Sequence, residues 1–358
     1  MSLFKNMLRE DESLFTNSVA LDYDFLPKKI PYRESEQDFI AACINPLFQK
    51  RNGKNILMYG KPGIGKTAAV KHVLKDLEEN SGDDIFQIYI NCWQKNTTYK
   101  IIIEMCDQIG YKLTHNKNSE DLFKILEKYL NKGSLVIAFD EIDKVEDLEF
   151  LYTILENIYR KSIILITNYK DWVTKMDERV RSRLTLQLLE FKEYSHDETR
   201  GILFERKRSA FISDVWEEDA FELIVNKSAK LKDIRTGLYL LKQAGDLAEA
   251  GAKRKIAIDQ VMKAINSLDE FTIKNSMTLD KEENDLLALI KENSGKRIGE
   301  LFNVYKEKGG MGVYKTFQRK IEKLSKNGFV NVNKITGGAQ GTTTIVNYKS
   351  KEKKLTEF

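Results

Sequence analysis

Eight consecutive residues, numbers 60–67, have the composition of a phosphate-binding loop. They read Gly-Lys-Pro-Gly-Ile-Gly-Lys-Thr, which satisfies the pattern GxxxxGK[ST]. Its glycines let backbone N–H groups close around phosphates, and the N-terminus of a following helix adds a favourable dipole. Lys66 is expected to reach the β- and γ-phosphates of ATP, and the Thr67 hydroxyl to bind Mg²⁺. The predicted nucleotide contacts here are Gly60, Lys61, Pro62, Gly63, Ile64, Gly65, Lys66, Thr67 and Ala68.

A pair of acids follows an apolar run near the middle of the chain. Residues 135–139 are apolar and precede Asp140 and Glu141, so they predict a buried strand that ends in two carboxylates. Asp140 is placed to hold Mg²⁺, and Glu141 to polarise the attacking water. Acid pairs after strands are common, and a solvated loop is the alternative. The phosphate-binding loop upstream favours the catalytic interpretation.

Four further polar residues are candidates for the same site. Asn168 follows the apolar run 163–167, where an amide could sense the γ-phosphate and position water. Arg179 and Arg183 belong to an arginine-rich segment, and one of them could reach the γ-phosphate of a neighbouring subunit. Arg235 begins a helical pattern, from which a cation could fold over the phosphates. A turn-forming asparagine and exposed surface arginines are the ordinary alternatives.

These residues need a scaffold in which strands and helices alternate. Short apolar runs predict strands at residues 55–59, 85–90, 135–139, 163–167 and 185–191. Helical patterns lie between them, and this alternation is typical of a doubly wound α/β layer with a parallel sheet. Later in the chain strands disappear, and helices are predicted at residues 199–211, 217–228, 234–250 and 258–267.

The last part of the sequence changes pattern again. Three short helical segments precede two β-prone runs, residues 329–335 and 342–348, which flank a glycine-rich stretch. Three helices followed by such a hairpin describe a winged helix, a relative of the helix-turn-helix. Basic residues of the third helix lie opposite its apolar face, and a glycine-tipped wing follows. The predicted DNA contacts are Lys315, Arg319, Lys323, Lys326, Lys334 and Gly338.

The charge distribution agrees with a polyanionic partner. The net charge is +4, but residues 278–358 carry 16 lysines and arginines against 10 acids, whereas the preceding residues carry 42 against 44. A basic end on a near-neutral body favours double-stranded DNA as a partner. A lysine-rich surface is the plainer alternative.

Composition excludes several other classes of protein. No apolar stretch approaches the roughly 18 to 20 residues that a membrane span needs, and the N-terminus lacks a secretory signal. Three cysteines and three histidines form neither a CxxC pair nor a metal cluster. We expect a cytoplasmic, nucleoid-associated protein without disulfides. The predicted organisation is an N-terminal arm (1–30), nucleotide-binding core (31–192), helical lid (193–271), linker (272–277), winged-helix domain (278–350) and tail (351–358).

Several segments together resemble one known family. Residues 26–34, 89–92, 139–144, 179–184 and 233–235 are similar to motifs of the archaeal replication initiators. These AAA+ ATPases are relatives of the largest origin recognition complex subunit and of the eukaryotic helicase-loading factor. One position departs from the family pattern, because Lys232 stands where the lid motif usually has glycine.

The resemblance implies a slow ATPase that binds replication origins and helps to recruit the replicative helicase. It also implies self-association or a paralogous initiator as a partner. In this family Tyr32 and Arg33 lie near the adenine pocket, Arg235 is the lid sensor, and a helical insertion within residues 96–116 touches DNA. The alternative is a DNA-binding AAA+ adaptor of a plasmid, virus or mobile element, which acts on a recombinase or replication protein. A ligand-sensing signalling ATPase is a third class.

Overall fold

The computed structural model describes residues 13–276, 281–308, 310, 313–326, 330–335 and 343–348. The chain divides into two compact units, Met1–Ala264 and Ile265–Phe358. Among the described residues, no helix combines the length and the apolar character that crossing a membrane requires.

The larger unit is built on a five-stranded parallel sheet. Its strands are β1 (Ile56–Tyr59), β2 (Ile85–Asn91), β3 (Ser134–Asp140), β4 (Lys161–Thr167) and β5 (Gln187–Glu190). They lie in the order β2-β3-β4-β1-β5, which confirms the predicted doubly wound sheet. Because the strands are parallel, their carboxyl ends share one edge, where ligands bind in folds of this class.

Helices cover both faces of the sheet. They are α1 (Glu34–Ile44), α2 (Lys66–Ser81), α3 (Thr98–Gln108), α4 (Ser119–Leu130), α5 (Glu149–Asn157) and α6 (Glu178–Leu184). Alternate residues of β3 face different apolar clusters: Ile137 and Phe139 pack with α3 to α6, whereas Val136 and Ala138 pack with α1 and α2. All seven residues of β3 are buried, which explains why residues 135–139 of this strand are a continuous apolar run.

Four helices follow the sheet: α7 (His196–Ala210), α8 (Glu218–Leu231), α9 (Ile234–Ala250) and α10 (Ile258–Ser276). The bounds of α9 are those predicted from the sequence. Residues 272–276, which were predicted as part of a linker, are helical and form the end of α10. They contain no proline or glycine, so no residue there ends the helix.

The described part of the predicted N-terminal arm, residues 13–30, packs on the helical lid. Leu14 and Leu21 are buried, and the Phe15 ring lies 4.5 Å from that of Phe211. Arg206 donates hydrogen bonds to two carbonyl groups of the segment. The prediction of an extended arm is therefore wrong for these residues, because they pack against the lid. Their apolar side chains do not recur with the period of a helix or a strand, so the sequence pattern does not reveal this packing.

The smaller unit contains α11 (Lys281–Glu292), α12 (Ile298–Glu307), α13 (Tyr314–Lys326), β6 (Val330–Ile335) and β7 (Thr343–Tyr348). The two strands pair antiparallel, so the predicted three helices and hairpin are confirmed as elements. An apolar cluster joins all five, and it includes Leu286, Leu301, Phe317, Val330 and Val346. The predicted tail, residues 351–358, lies outside the described residues.

Candidate functional site

The loop between β1 and α2 has the backbone that phosphate binding requires. Gly60, Gly63 and Gly65 have φ values of 151°, 76° and 88°, in the region that favours glycine. A Cβ at Gly60 would also collide with the Phe191 carbonyl oxygen. The helix α2 begins at Lys66, so its first N–H groups face the loop. Ile64 is buried, Gly63 and Ala68 are partly buried, and Lys61 and Pro62 are exposed.

Lys66 connects the loop with the end of β4. Its ammonium group donates hydrogen bonds to the carbonyl oxygens of Gly60 and Lys61, both at 2.7 Å, and to Oδ1 of Asn168 at 2.9 Å. Burial lowers the pKa of Lys66 to about 8, although the nearby Asp140 carboxylate opposes this shift. The structure thus brings together the predicted phosphate lysine and the predicted sensor amide.

Thr67 and Asp140 form the oxygen pair expected for Mg²⁺. The Thr67 hydroxyl donates to Oδ2 of Asp140 at 2.6 Å, and Asp140 is only 5% exposed. A carboxylate and a hydroxyl are suitable Mg²⁺ ligands, and this ion usually completes its shell with water and phosphate oxygens. In the described ranges no group of three or more His, Cys, Asp or Glu is arranged to hold a metal. The donor set therefore fits Mg²⁺ that arrives with a nucleotide.

Glu141 lies directly after Asp140 in the left-handed region, with φ of 55°. Burial raises the pKa of Glu141, and the Asp140 and Asp143 carboxylates raise it further. A raised pKa suits a general base, since proton affinity increases with pKa. Asp143 itself accepts a hydrogen bond from the Thr167 hydroxyl at 2.9 Å, which joins this turn to the end of β4.

The lid reaches the phosphate-binding loop at the start of α9. The Asp233 carboxylate caps α9 by accepting the Arg235 N–H at 2.8 Å, and it lies where a Cβ on Gly63 would stand. The side chain of Arg235 is exposed. Burial lowers the pKa of Lys66, and the positive charge of Arg235 lowers it further, so Arg235 lies near the phosphate-binding lysine.

Arg33 is bound within the chain. It is 4% exposed, donates to the Ile64 carbonyl at 3.2 Å and the Lys192 carbonyl at 2.5 Å, and lies 4.0 Å from the centroid of the Tyr194 ring. Tyr32, in contrast, is 41% exposed, has φ of 62° and contacts Gly201. Arg33 thus joins the phosphate-binding loop to the segment that leads into the lid, whereas Tyr32 contacts the lid itself.

That segment, residues 191–194 between β5 and α7, is here called the hinge. Its Glu193 forms ion pairs with Lys61 of the phosphate-binding loop and with Lys232 of the lid. These two lysines lower the pKa of Glu193, Lys232 more than Lys61. Lys232 directly follows α8 and has a φ of 57°, a conformation in which glycine is the usual residue after a helix.

The two candidate trans-acting arginines lie on α6. Arg179 is exposed and pairs with Asp177 at 3.2 Å. Arg183 pairs with Glu156 at 2.9 Å and its guanidinium lies 5.0 Å from the Tyr152 ring centroid. A phosphate of a neighbouring subunit would have to replace these exposed contacts within the chain.

The helix α13 separates an apolar face from a basic one. Phe317, Ile321 and Leu324 are buried, whereas Lys315 and Arg319 are exposed. The amphipathic arrangement predicted for this helix is therefore confirmed. The remaining predicted DNA contacts lie outside what the structure describes: the side chains of Lys323, Lys326 and Lys334, and Gly338 entirely.

Three further residues contact the site, and the sequence motifs assign no chemical role to them. Tyr89 donates a hydrogen bond to Asp140, Asp143 accepts one from Thr167, and Glu193 pairs with the phosphate-binding loop. Tyr89 belongs to the family-like segment 89–92. It lies just before the carboxyl end of β2, at the sheet edge where the other site residues lie. The motif marks Tyr89 without identifying its partner Asp140, and nothing in the local pattern marks Glu193.

Comparison with known proteins gives two family matches. A family model described as "AAA domain" matches residues 49–170, and one described as "Cdc6 AAA+ ATPase-type lid domain" matches residues 200–266. The ORC1-type DNA replication protein 1 of Sulfurisphaera tokodaii is 30% identical over 357 residues, which cover 93% of this chain and 90% of the relative. The chain belongs to the ORC1-type DNA replication protein family.

Other members agree with this assignment. The ORC1-type DNA replication protein 1 of Archaeoglobus fulgidus is 29% identical over 99% of this chain and 92% of its own. Among solved structures, the Aeropyrum pernix ORC1 protein in complex with DNA has a TM-score of 0.73 and 26% identity and covers 93% of both chains. Membership in the ORC1-type family gives the chain an AAA+ nucleotide-binding fold and a role in the initiation of DNA replication.

Proposed function

We propose that this ORC1-type protein is an ATP-switched initiator that binds double-stranded origin DNA and helps to recruit the replicative helicase. The observation that carries the nucleotide part is the convergence of Lys66, Asn168, Thr67 and Asp140 at one sheet edge. A chain that switches between ATP and ADP states needs these groups and only slow hydrolysis. A second copy or a paralogous initiator is the partner that would supply a trans-acting arginine.

Each group at the sheet edge has a definite task in this proposal. Lys66 binds the β- and γ-phosphates, and Thr67 and Asp140 hold the Mg²⁺ that neutralises them. Glu141 accepts a proton from the attacking water, which its raised pKa favours. Asn168 orients that water and Arg235 closes over the phosphates from the lid. Replacing Lys66 with alanine removes the phosphate charge partner, so ATP binding should be lost in calorimetry while the fold persists.

The DNA part of the proposal rests on the smaller unit. Lys315 and Arg319 project from the exposed face of α13, and a hairpin follows this helix, as in a recognition helix with a wing. The segment 96–116 is a second proposed contact, and its described side chains include the exposed Lys100 and Lys112. DNA binding would place the protein at the nucleoid.

The test compares the DNA affinities of two single variants of the full chain. Each affinity is measured on a DNA site that the parent protects in footprinting and on random DNA. Arg319→Ala should cost about 1 to 3 kcal/mol on the preferred site and little on random DNA, if Arg319 reads a base. Lys315→Ala should weaken binding to both and reduce the slope of log affinity against log salt by about one. Lys308, which pairs with Glu292 at 2.7 Å, provides the matched control Lys308→Ala. If the parent protects no defined repeats, origin recognition is wrong and a sequence-independent adaptor gains support.

A further inference from the structure

The side chain of Tyr89 belongs to the nucleotide site, although no part of the proposed chemistry uses it. Its hydroxyl donates to Oδ2 of Asp140 at 2.7 Å. The same oxygen accepts the Thr67 hydroxyl at 2.6 Å, and Oδ1 of Asp140 accepts the Glu141 N–H at 2.9 Å. Three donors therefore define the orientation of this carboxylate, and Tyr89 is the one that reaches it from a different strand.

The sheet register explains why Tyr89 can make this contact. In the parallel pairing of β2 with β3, Tyr89 is opposite Ala138 and Asn91 is opposite Asp140. The tyrosine thus precedes the carboxyl end of its strand by two residues, and its long side chain extends toward that end. A tyrosine hydroxyl is protonated at neutral pH, since its ordinary pKa is about 10, so it can donate this hydrogen bond.

The backbone of Tyr89 is held from the other side by Gln108. The strand β2 is the last in the order of the sheet, so within the described part of the chain it has a neighbouring strand, β3, on one side only. The Gln108 amide of α3 takes the place of a strand on the other side: its Oε1 accepts the Tyr89 N–H at 3.1 Å, and its Nε2 donates to the Tyr89 carbonyl at 2.8 Å. The Gln108 side chain thus forms the two backbone hydrogen bonds that a neighbouring strand would form. These bonds hold Tyr89, the residue that orients Asp140, in place.

We propose that Tyr89 is a positioning residue for the Mg²⁺ ligand Asp140, and that Gln108 holds Tyr89 in place for this task. The inference rests on the proposed nucleotide site. A carboxylate with two donors on the oxygen that faces Thr67 is fixed before the nucleotide arrives, so less rotational freedom is lost when Mg²⁺ binds. Removing the Tyr89 hydroxyl should therefore weaken the metal-dependent part of nucleotide binding and leave the metal-independent part unchanged.

The experiment measures the affinity of the full chain for ADP by calorimetry, in EDTA and at a series of Mg²⁺ concentrations. In Tyr89→Phe, the affinity in EDTA should equal that of the parent, because the ring and the phosphate contacts remain. The factor by which Mg²⁺ increases the affinity, here called the Mg²⁺ gain, should fall by about tenfold. A change of this size corresponds to the lower end of the free-energy range for a hydrogen bond to a charged group. The matched control is Tyr111→Phe, since the Tyr111 hydroxyl contacts Lys117 outside the site.

Two further variants separate the possible failures. Asp140→Asn should abolish the Mg²⁺ gain; if the gain survives, the metal site itself is wrongly assigned. If Asp140→Asn loses the gain but Tyr89→Phe retains all of it, the positioning role is wrong while the nucleotide site stands. Gln108→Leu should lower the gain in the same direction as Tyr89→Phe but less, because it acts through Tyr89. An unchanged gain in Gln108→Leu would overturn the part assigned to Gln108.

Discussion

The two sides of the phosphate-binding loop are held by different kinds of contact. On the strand side, the Thr67 hydroxyl donates a hydrogen bond to Asp140, which is 5% exposed. On the lid side, Glu193 bridges Lys61 and Lys232, whose side chains are 64% and 51% exposed. One side is buried and hydrogen-bonded, and the other is an ion-pair network in contact with water.

This difference separates fixed chemistry from adjustable closure. Salt weakens the interaction between exposed charges, with a screening length of about 10 Å at 0.1 M ionic strength, but it affects buried pairs much less. The strand side should therefore keep its geometry when the salt concentration changes, and catalysis needs such a fixed geometry. The lid side should respond to salt and to single charge changes, as suits a lid that must open when the nucleotide leaves.

The largest effect should come from the strand side. Glu141→Gln removes the proton acceptor but keeps the phosphate and metal contacts, so single-turnover hydrolysis should slow by about 100- to 10,000-fold. ATP affinity measured by calorimetry should stay close to that of the parent. The control is Glu149→Gln, an exposed acid at the start of α5. A single-turnover rate equal to that of the parent would show that another residue activates the water.

A smaller effect is expected from pH. Burial lowers the pKa of Lys66 to about 8, so in the nucleotide-free protein Lys66 loses its positive charge as the pH rises through 8. Bound phosphates keep Lys66 protonated. ATP affinity should therefore fall as the pH rises above 8, by about tenfold for each unit. Calorimetry between pH 7 and 9.5 measures this. Lys66→Arg keeps its charge throughout, so its affinity should not vary over this range; a parent whose affinity stays constant would contradict the lowered pKa.

The chemistry of the strand side could be predicted from the sequence because it depends on local patterns. The motif at residues 60–67 and the acids after an apolar run mark the ends of strands, and parallel strands bring their carboxyl ends to one edge. The contact between Lys66 and Asn168 follows from that rule. The elements of the smaller unit could be predicted for the same reason, since each has its own periodicity.

The contacts that could not be predicted join residues distant in sequence. Tyr89 lies 51 positions before Asp140, and their contact depends on β2 being next to β3, which no spacing in the sequence reveals. Residues 13–30 pack on α7 through side chains without a regular period. The role of Glu193 is equally unpredictable, because in the sequence an acid after a strand has no local feature that distinguishes it from a solvated one.

The smallest effect should appear when Glu193 of the hinge loses its negative charge. Glu193→Gln removes both ion pairs, to Lys61 and to Lys232, so the lid should release nucleotide sooner. Exposed ion pairs contribute little, so the dissociation rate of a fluorescent ADP at low salt should rise by only about threefold. Raising the salt concentration should speed dissociation from the parent and leave the variant unchanged, because salt removes the same interaction that the substitution removes.

Controls decide whether this effect belongs to the bridge. Glu190→Gln changes an exposed acid three residues earlier on β5, and its dissociation rate should follow the parent at every salt concentration. Lys61→Gln and Lys232→Gln should each give part of the Glu193→Gln effect, since each breaks one of the two pairs. If dissociation from the parent is independent of salt, or if Lys232→Gln has no effect, the lid is held instead by the buried Arg33 and the half-buried Asp233. The contrast between the two sides of the loop then fails.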